Sequence, residues 1–197
     1  VNDESNINEL KKQFTKIEYS FVSDLHKIRD KKNEINSYDI NSKNKIILIS
    51  LKKQFKISEI ESLGAKFYDY FKNSKLNTFN INTNSITVKS EDVISYFLHG
   101  LKLKSYTFDK YKTKKDKTNI IINITGKKIP SIKAQNRFEA IELGTFFARD
   151  LVSEPGNILH PDEYAQRLGY LKKIGLKINV YDEKKLKKLG MNTLLGV

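Results

Sequence analysis

The sequence predicts an α/β chain, and three observations carry that prediction. Strand-like and helix-like segments alternate along the chain. Two Ile-rich runs, Ile46–Leu51 and Asn119–Thr125, are apolar enough to be buried strands. The segments between them carry capping residues followed by apolar positions at helical spacing.

In chain order, Val1–Leu10 is polar and reads as a frayed start. Phe14–Val22 sets Ile17, Tyr19 and Phe21 on one side and Lys16, Glu18 and Ser20 on the other, which predicts a half-buried strand. Asp24–Lys43 is charged and Asn-rich and predicts turns or an insertion. Ile46–Leu51 reads as a strand covered on both faces, which favours a parallel sheet. Ser58 is a good N-cap, Glu61 three residues later completes a capping box, and Ile60, Leu63, Gly64, Phe67 and Phe71 form one apolar stripe. The aromatics in that stripe read as core, not as a stacking platform.

Phe79 with Ile81 predicts a strand, and Ile86 with Val88 a second short one. Ser90 caps a helix over Glu91–Leu101, with Glu91 and Asp92 where the helix dipole favours them. Ile94, Phe97, Leu98 and Leu101 are its buried face. A long helix spans Ala134–Val152, with Phe138, Ile141, Thr145, Ala148, Leu151 and Val152 at helical spacing, and Pro155 stops it. Pro161 opens the next helix at its first position; Tyr164, Ala165, Leu168 and Leu171 face inward and Gly175 ends it. Leu176, Ile178 and Val180 predict a strand, and Glu183–Leu189 a short helix closed by Gly190. The pattern breaks at Ser153–Pro161, where a second βα series begins. No period of 20–50 residues recurs, which excludes a repeat architecture.

Composition narrows the chemistry. The chain has 197 residues and no Cys, so it has no disulfide scaffold, thiolate metal site or cysteine nucleophile. No apolar run approaches the roughly 20 residues of a membrane helix. Val1–Glu4 has neither a basic start nor an apolar segment, so no signal peptide is expected, and the chain reads as cytoplasmic with no membrane partner.

The net charge of +13 is concentrated. Lys102–Lys133 holds ten Lys and two Asp, and Lys172–Lys188 seven Lys against Asp182 and Glu183; the remainder sums to zero. Only four of the 36 basic residues are Arg, the residue suited to bidentate phosphate recognition. Lys, Asn and Ile together make 73 residues, all with A/T-rich codons, so coding bias alone can supply the lysines. The excess therefore reads first as a solvated surface and second as a polyanion footprint.

The sequence carries few signals of a site. No two Gly lie closer than six residues, so dinucleotide and phosphate loops are absent. His26, His99 and His160 are 73 and 61 residues apart, which excludes an H-E-x-x-H pair. His99 reads as a packed imidazole and His160 as a cap. Asp150 and Glu154 could serve acid–base or metal work, but with Arg149 adjacent an ion pair or cap is the better reading. No catalytic, cofactor-binding or metal residue is assigned.

Two stretches then point further. Gly100-Leu101-Lys102-Leu103-Lys104-Ser105-Tyr106-Thr107-Phe108-Asp109-Lys110-Tyr111-Lys112 is similar to G-x-x-L-x-x-Y-x-F-x-x-Y-K. Ala148-Arg149-Asp150-Leu151-Val152-Ser153-Glu154-Pro155-Gly156-Asn157-Ile158-Leu159-His160-Pro161 is similar to A-R-D-L-V-N-E-P-P-N-x-L-T-P. Both strings belong to the leucyl aminopeptidase family, the cytosolic two-metal exopeptidases, and Asp182–Val197 resembles the segment that follows there. The chain differs at Ser153, Gly156 and His160, where the family has Asn, Pro and Thr. All three lie in a connecting turn.

The resemblance implies a macro-domain-like N-terminal α/β domain with a mixed or parallel sheet over 1–133, a linker helix over 134–152 and the start of the catalytic domain over 153–197. The full-length relative would remove N-terminal residues from peptides with two divalent cations, zinc or manganese, as a homo-hexamer. Its metal-binding Lys, Asp and Glu and its N-T-D-A-E-G-R-L string are not found in this sequence, so the expectation is a non-catalytic portion, inactive alone. Some family members contact DNA through the N-terminal domain, which leaves nucleic-acid binding or assembly as the alternative.

Overall fold

The computed structural model describes residues 7–29, 33–41, 44–52, 54–86, 92–115 and 120–196. The chain is mixed α/β, with helices flanking small sheets. It divides into two compact units, Val1–Phe146 and Phe147–Val197.

The first unit opens with a 3-10 turn, Asn8–Gln13, and helix α1, Lys16–Ile28. A hairpin follows: β1, Ile35–Asp39, and β2, Lys45–Ile49, antiparallel with Ile35 opposite Ile49 and Asp39 opposite Lys45. Next come α2, Ile57–Phe71, β3, Thr78–Asn82, and α3, Val93–Lys104. Strand β4, Ile121–Thr125, lies parallel to β3, with Thr78 opposite Ile121 and Asn82 opposite Thr125. Helix α4, Ile132–Ser153, contains the boundary between the units. The second unit continues with α5, Pro161–Gly169, a 3-10 turn Tyr170–Ile174, α6, Glu183–Lys188, and α7, Asn192–Leu195.

The apolar stripe of α2 builds the main core as predicted. Ile60, Leu63, Phe67 and Phe71 are buried against Phe79 of β3 and Val93, Ile94, Phe97 and Leu101 of α3. Phe67 sits edge-on to Phe79 and Phe97 at 5.1 and 5.6 Å, the geometry ring quadrupoles favour. Gly64 has a specific task here. A Cβ on it would lie 1.9 Å from the Phe97 carbonyl oxygen, and one on Gly100 would lie 1.9 Å from the Glu61 carbonyl oxygen. Moving three residues forward on α2 moves three back on α3, so the helices run antiparallel with their backbones in contact. The second core gathers Ile7, Leu10, Val22, Tyr38 and Leu48.

Several expectations need correction. Phe14–Val22 is not a strand but the entry to α1. Thr15 and Glu18 form a capping box: the Thr15 hydroxyl accepts from the Glu18 N–H, and the Glu18 carboxylate accepts from the Thr15 N–H at 2.9 Å. Those bonds hold the Glu18 carboxyl below its ordinary range, the Thr15 backbone first and its hydroxyl second. Val22 and His26, four apart, face the core, whereas Ile17 is 84% exposed. The local cap and helical spacing outweigh the period-two pattern. Asp24–Lys43 likewise holds the rest of α1 and β1, not an insertion.

The Ile46–Leu51 run is covered on both faces, since Ile47 and Ile49 pack on the main core and Ile46 and Leu48 on the second. It nevertheless pairs antiparallel, because only five residues separate β2 from β1, too few for the crossover a parallel pair needs. Helix α2 begins one residue before Ser58: the Glu59 carboxylate accepts from the Lys56 N–H at 2.8 Å, so Ser58 lies in the first turn. β4 is covered on one face only, by Ile122 and Ile124, with Ile121 exposed. Of the apolar positions predicted for α4, Phe138 is buried, while Ile141 is exposed and Val152 is 87% exposed. Leu176, Ile178 and Val180 form no strand, because no ladder partner lies beside them among the described residues. Val88, Ser90, Glu91 and Asn119 lie outside the described residues.

Candidate functional site

Three places singled out by the sequence can be judged by geometry. The first is Ala148–Pro161. Helix α4 ends at Ser153. The N–H groups of Ile158 and Leu159 donate to the Pro155 carbonyl, each at 2.9 Å, closing a tight turn. His160 then occupies the N-cap of α5 and Pro161 its first position, as expected.

The carboxylate of Glu154 is almost sealed from solvent, its side chain 1% exposed. It accepts from the Arg167 guanidinium at 2.7 Å, and Arg167 also donates to Glu163 at 2.7 Å. These two carboxylates, Glu154 first, raise the Arg167 pKa further. The ion pair expected beside Arg149 is thus made to Glu154 by a residue 13 positions on. Only the Glu163–Arg167 spacing of four, favourable on a helix, hinted at Arg167's part. Glu154 is committed to structure, and Asp150 is exposed.

The second is His99, buried in α3 with its Nδ1 2.8 Å from the Glu142 carboxylate of α4 and its ring 4.8 Å from that of Phe138. It is a packed imidazole, as read, whose carboxylate partner the sequence did not reveal. The third is the basic segment. Lys104 pairs with Asp69 at 2.9 Å and Lys128 donates to the Ile86 carbonyl at 2.9 Å, so both are taken up by the fold. Lys110, Lys112, Lys114 and Lys115 are exposed. Among the described residues no three His, Asp or Glu side chains converge to hold a metal ion.

The Gly100–Lys112 string has a physical account. Gly100 lets α3 touch α2, and the Tyr106 ring packs on Phe146 at 5.3 Å. Phe108 and Tyr111 meet edge-on at 5.9 Å. These residues shape the first unit and do no visible chemistry.

A sequence model of the cytosol aminopeptidase family's N-terminal domain matches residues 3–115, and one of its catalytic domain matches 146–197. The chain belongs to the cytosol aminopeptidase family. A probable cytosol aminopeptidase of Agrobacterium fabrum is 35% identical over 167 residues, 80% of this chain and 33% of that protein. One from Brucella melitensis is 35% identical over 162 residues, 78% of this chain and 33% of that protein. The chain therefore spans about a third of the length of these family members.

Two solved structures show the same fold at 18% identity. A mutant of tomato leucine aminopeptidase superposes with a TM-score of 0.69 over 92% of this chain and 38% of its own. The bottromycin maturation enzyme BotP in complex with Mn superposes with 0.61 over 79% and 34%. No helix among the described residues is long and apolar enough to cross a membrane.

Proposed function

We propose that this chain is the non-catalytic N-terminal portion of a metal-dependent aminopeptidase that removes N-terminal residues from peptides. Residues 1–133 act as the N-terminal domain, 134–152 as the linking helix and 153–197 as the start of the catalytic domain. The observation that carries this reading is the order of the two family matches on one chain, N-terminal domain then catalytic domain. The same reading places the full-length protein in the cytoplasm as a homo-hexamer.

Two divalent cations, zinc or manganese, belong to the full-length enzyme in this reading. The described residues do not fit as their ligands. No three carboxylates or imidazoles converge, and Glu154, the buried carboxylate nearest the family string, is neutralised by Arg167. No catalytic step is therefore assigned to this chain. Its residues do structural work: the α2–α3 contact, the Tyr106–Phe146 packing and the Glu154–Arg167 pair.

The test is direct. The purified 197-residue chain, given manganese or zinc, is expected to leave leucine p-nitroanilide intact, while the full-length enzyme hydrolyses it. Metal-dependent release of nitroaniline by the short chain would overturn the assignment.

A second reading, nucleic-acid binding, draws on the exposed Lys110, Lys112, Lys114 and Lys115. Four phosphate contacts give a slope of about −3.6 in log K against log salt, so affinity for a labelled duplex should fall roughly 150-fold between 50 and 200 mM salt. An anisotropy titration with no signal at the lower salt would remove this reading.

A further inference from the structure

The second unit keeps its apolar side chains on the surface. Among its described residues only Glu154 is buried. Ile174 is 74% exposed, Leu176 50% and Val180 63%. Apolar surface of this extent marks a contact with further protein.

One stretch of that surface has both ends pinned. Before Leu176, Gly175 takes a φ of +89° and its N–H donates to the Lys172 carbonyl at 3.0 Å, while the Leu176 N–H donates to the Leu171 carbonyl at 3.3 Å. After Tyr181, the Asp182 carboxylate accepts from the Lys185 N–H at 2.8 Å and caps α6. The six residues Leu176–Tyr181 between these ends have the usual length of a strand. The backbone groups of 177–181 have no hydrogen-bond partner among the described residues. Such groups find one when a domain is complete. A helix, an apolar stretch of strand length and a second helix are the parts of an α/β layer whose strand lacks its neighbour.

The residue pattern says where in a sheet this strand belongs. Leu176, Ile178 and Val180 alternate with Lys177 and Asn179. A strand covered on both faces is apolar throughout, as Ile46–Ile49 is, whereas alternation belongs to a strand covered on one face. Lysine is the residue that keeps an outer strand from pairing further.

We propose that Leu176–Tyr181 is the outermost strand of the catalytic domain's sheet in the full-length protein, paired along one edge by a segment that follows Val197. Two observations choose this occupant over a second copy. The family's N-terminal model matches from residue 3 and its catalytic-domain model matches 146–197, while the chain spans a third of its relatives, so the rest of their length lies on the catalytic side. Lys172, Lys173, Lys177, Lys184 and Lys185 flank or lie within the segment and are exposed, so two copies meeting edge to edge would bring like charges together. The inference rests on the chain being the first part of a longer aminopeptidase.

Hydrogen exchange on the full-length protein tests it. A strand with one partner has every second amide bonded. Either Lys177, Asn179 and Tyr181 or Ile178 and Val180 should therefore exchange about 100-fold more slowly than the other set. Uniformly fast amides over 177–181 would overturn the strand, and uniformly slow ones would overturn its outer position. A diazirine analogue of leucine at position 176, nearly isosteric with the native side chain, identifies what covers the apolar side. Crosslinks within one chain to peptides after Val197 support the proposal. Crosslinks to a second copy, or only to residues 1–146, refute it. Hydrolysis of leucine p-nitroanilide by the same full-length preparation reads the functional assignment separately. An active enzyme with uniformly fast amides loses the strand alone, and an inactive one with alternating amides loses the function alone.

Discussion

Alanine at Gly64 or Gly100 should cost about 3 kcal/mol or more each, far above the 1 kcal/mol typical of a point substitution. The added methyl would sit 1.9 Å from a backbone carbonyl oxygen of the facing helix, Phe97 in one case and Glu61 in the other. A carbonyl in a helix cannot swing aside as a flexible side chain can, so α2 and α3 must separate. Separation opens the packing of Phe67 against Phe97 and Phe79, and dense cores lose stability whenever such contacts loosen. The better helix propensity of Ala offsets only about 1 kcal/mol of this.

Gly144 supplies the control. It lies in α4 with no atom within 4 Å of its would-be Cβ, so Gly144→Ala should stabilise by up to about 1 kcal/mol. Urea denaturation followed by tyrosine fluorescence would show the opposite signs. The double variant Gly64→Ala with Gly100→Ala should lose less than the sum of its parts, because one methyl already forces the separation the other needs. Additive losses, or a neutral Gly100→Ala, would refute the backbone contact.

The helix-helix core was legible in the sequence because its cause is local. Ile60, Leu63, Phe67 and Phe71 recur at the period of the helix that buries them, and Pro161, Gly175 and Gly190 mark helix ends through their own backbone preferences. Gly64 stood in the stripe as one more small residue, but its reason lies on another element 33 positions away. The failure at Phe14–Val22 is of a different sort. Six residues of alternation fit a strand, yet a cap at Thr15 and the burial of Val22 and His26 together against β1 and β2 decide for a helix. Strand pairing was the least legible feature. Ile46–Leu51 carries the composition of a two-face strand whether its neighbour is parallel or antiparallel, and only the length of the connection to β1 separates the two. The candidate site followed the same division. The strings that place the chain in its family could be read directly, whereas Arg167 as the partner of Glu154 depends on how the turn at Pro155–His160 folds back.

Removing Arg167 is the second large effect. Arg167→Met should destabilise the second unit by about 3 kcal/mol, since the Glu154 carboxylate, 1% exposed, would lose the guanidinium that pairs with it. The Arg167 side chain retains 18% of its exposure, which argues for the lower end of the 3–5 kcal/mol usual for a broken buried pair. Glu163 is the weaker partner, its side chain 32% exposed, and Glu163→Ala should cost no more than about 0.5 kcal/mol.

The two units need not unfold together, so a single melting temperature would blur the result. Hydrogen exchange of the α5 amides reads the second unit by itself, and a loss of 3 kcal/mol appears there as about 150-fold faster opening. Apolar replacement of both partners, Glu154→Leu with Arg167→Met, should recover most of that loss, because no stranded charge remains. Equal exchange in Arg167→Met and the parent chain would mean that the pair contributes nothing. A double variant as damaged as Arg167→Met would mean that hydrogen-bond geometry, not the relief of a buried charge, fixes the turn.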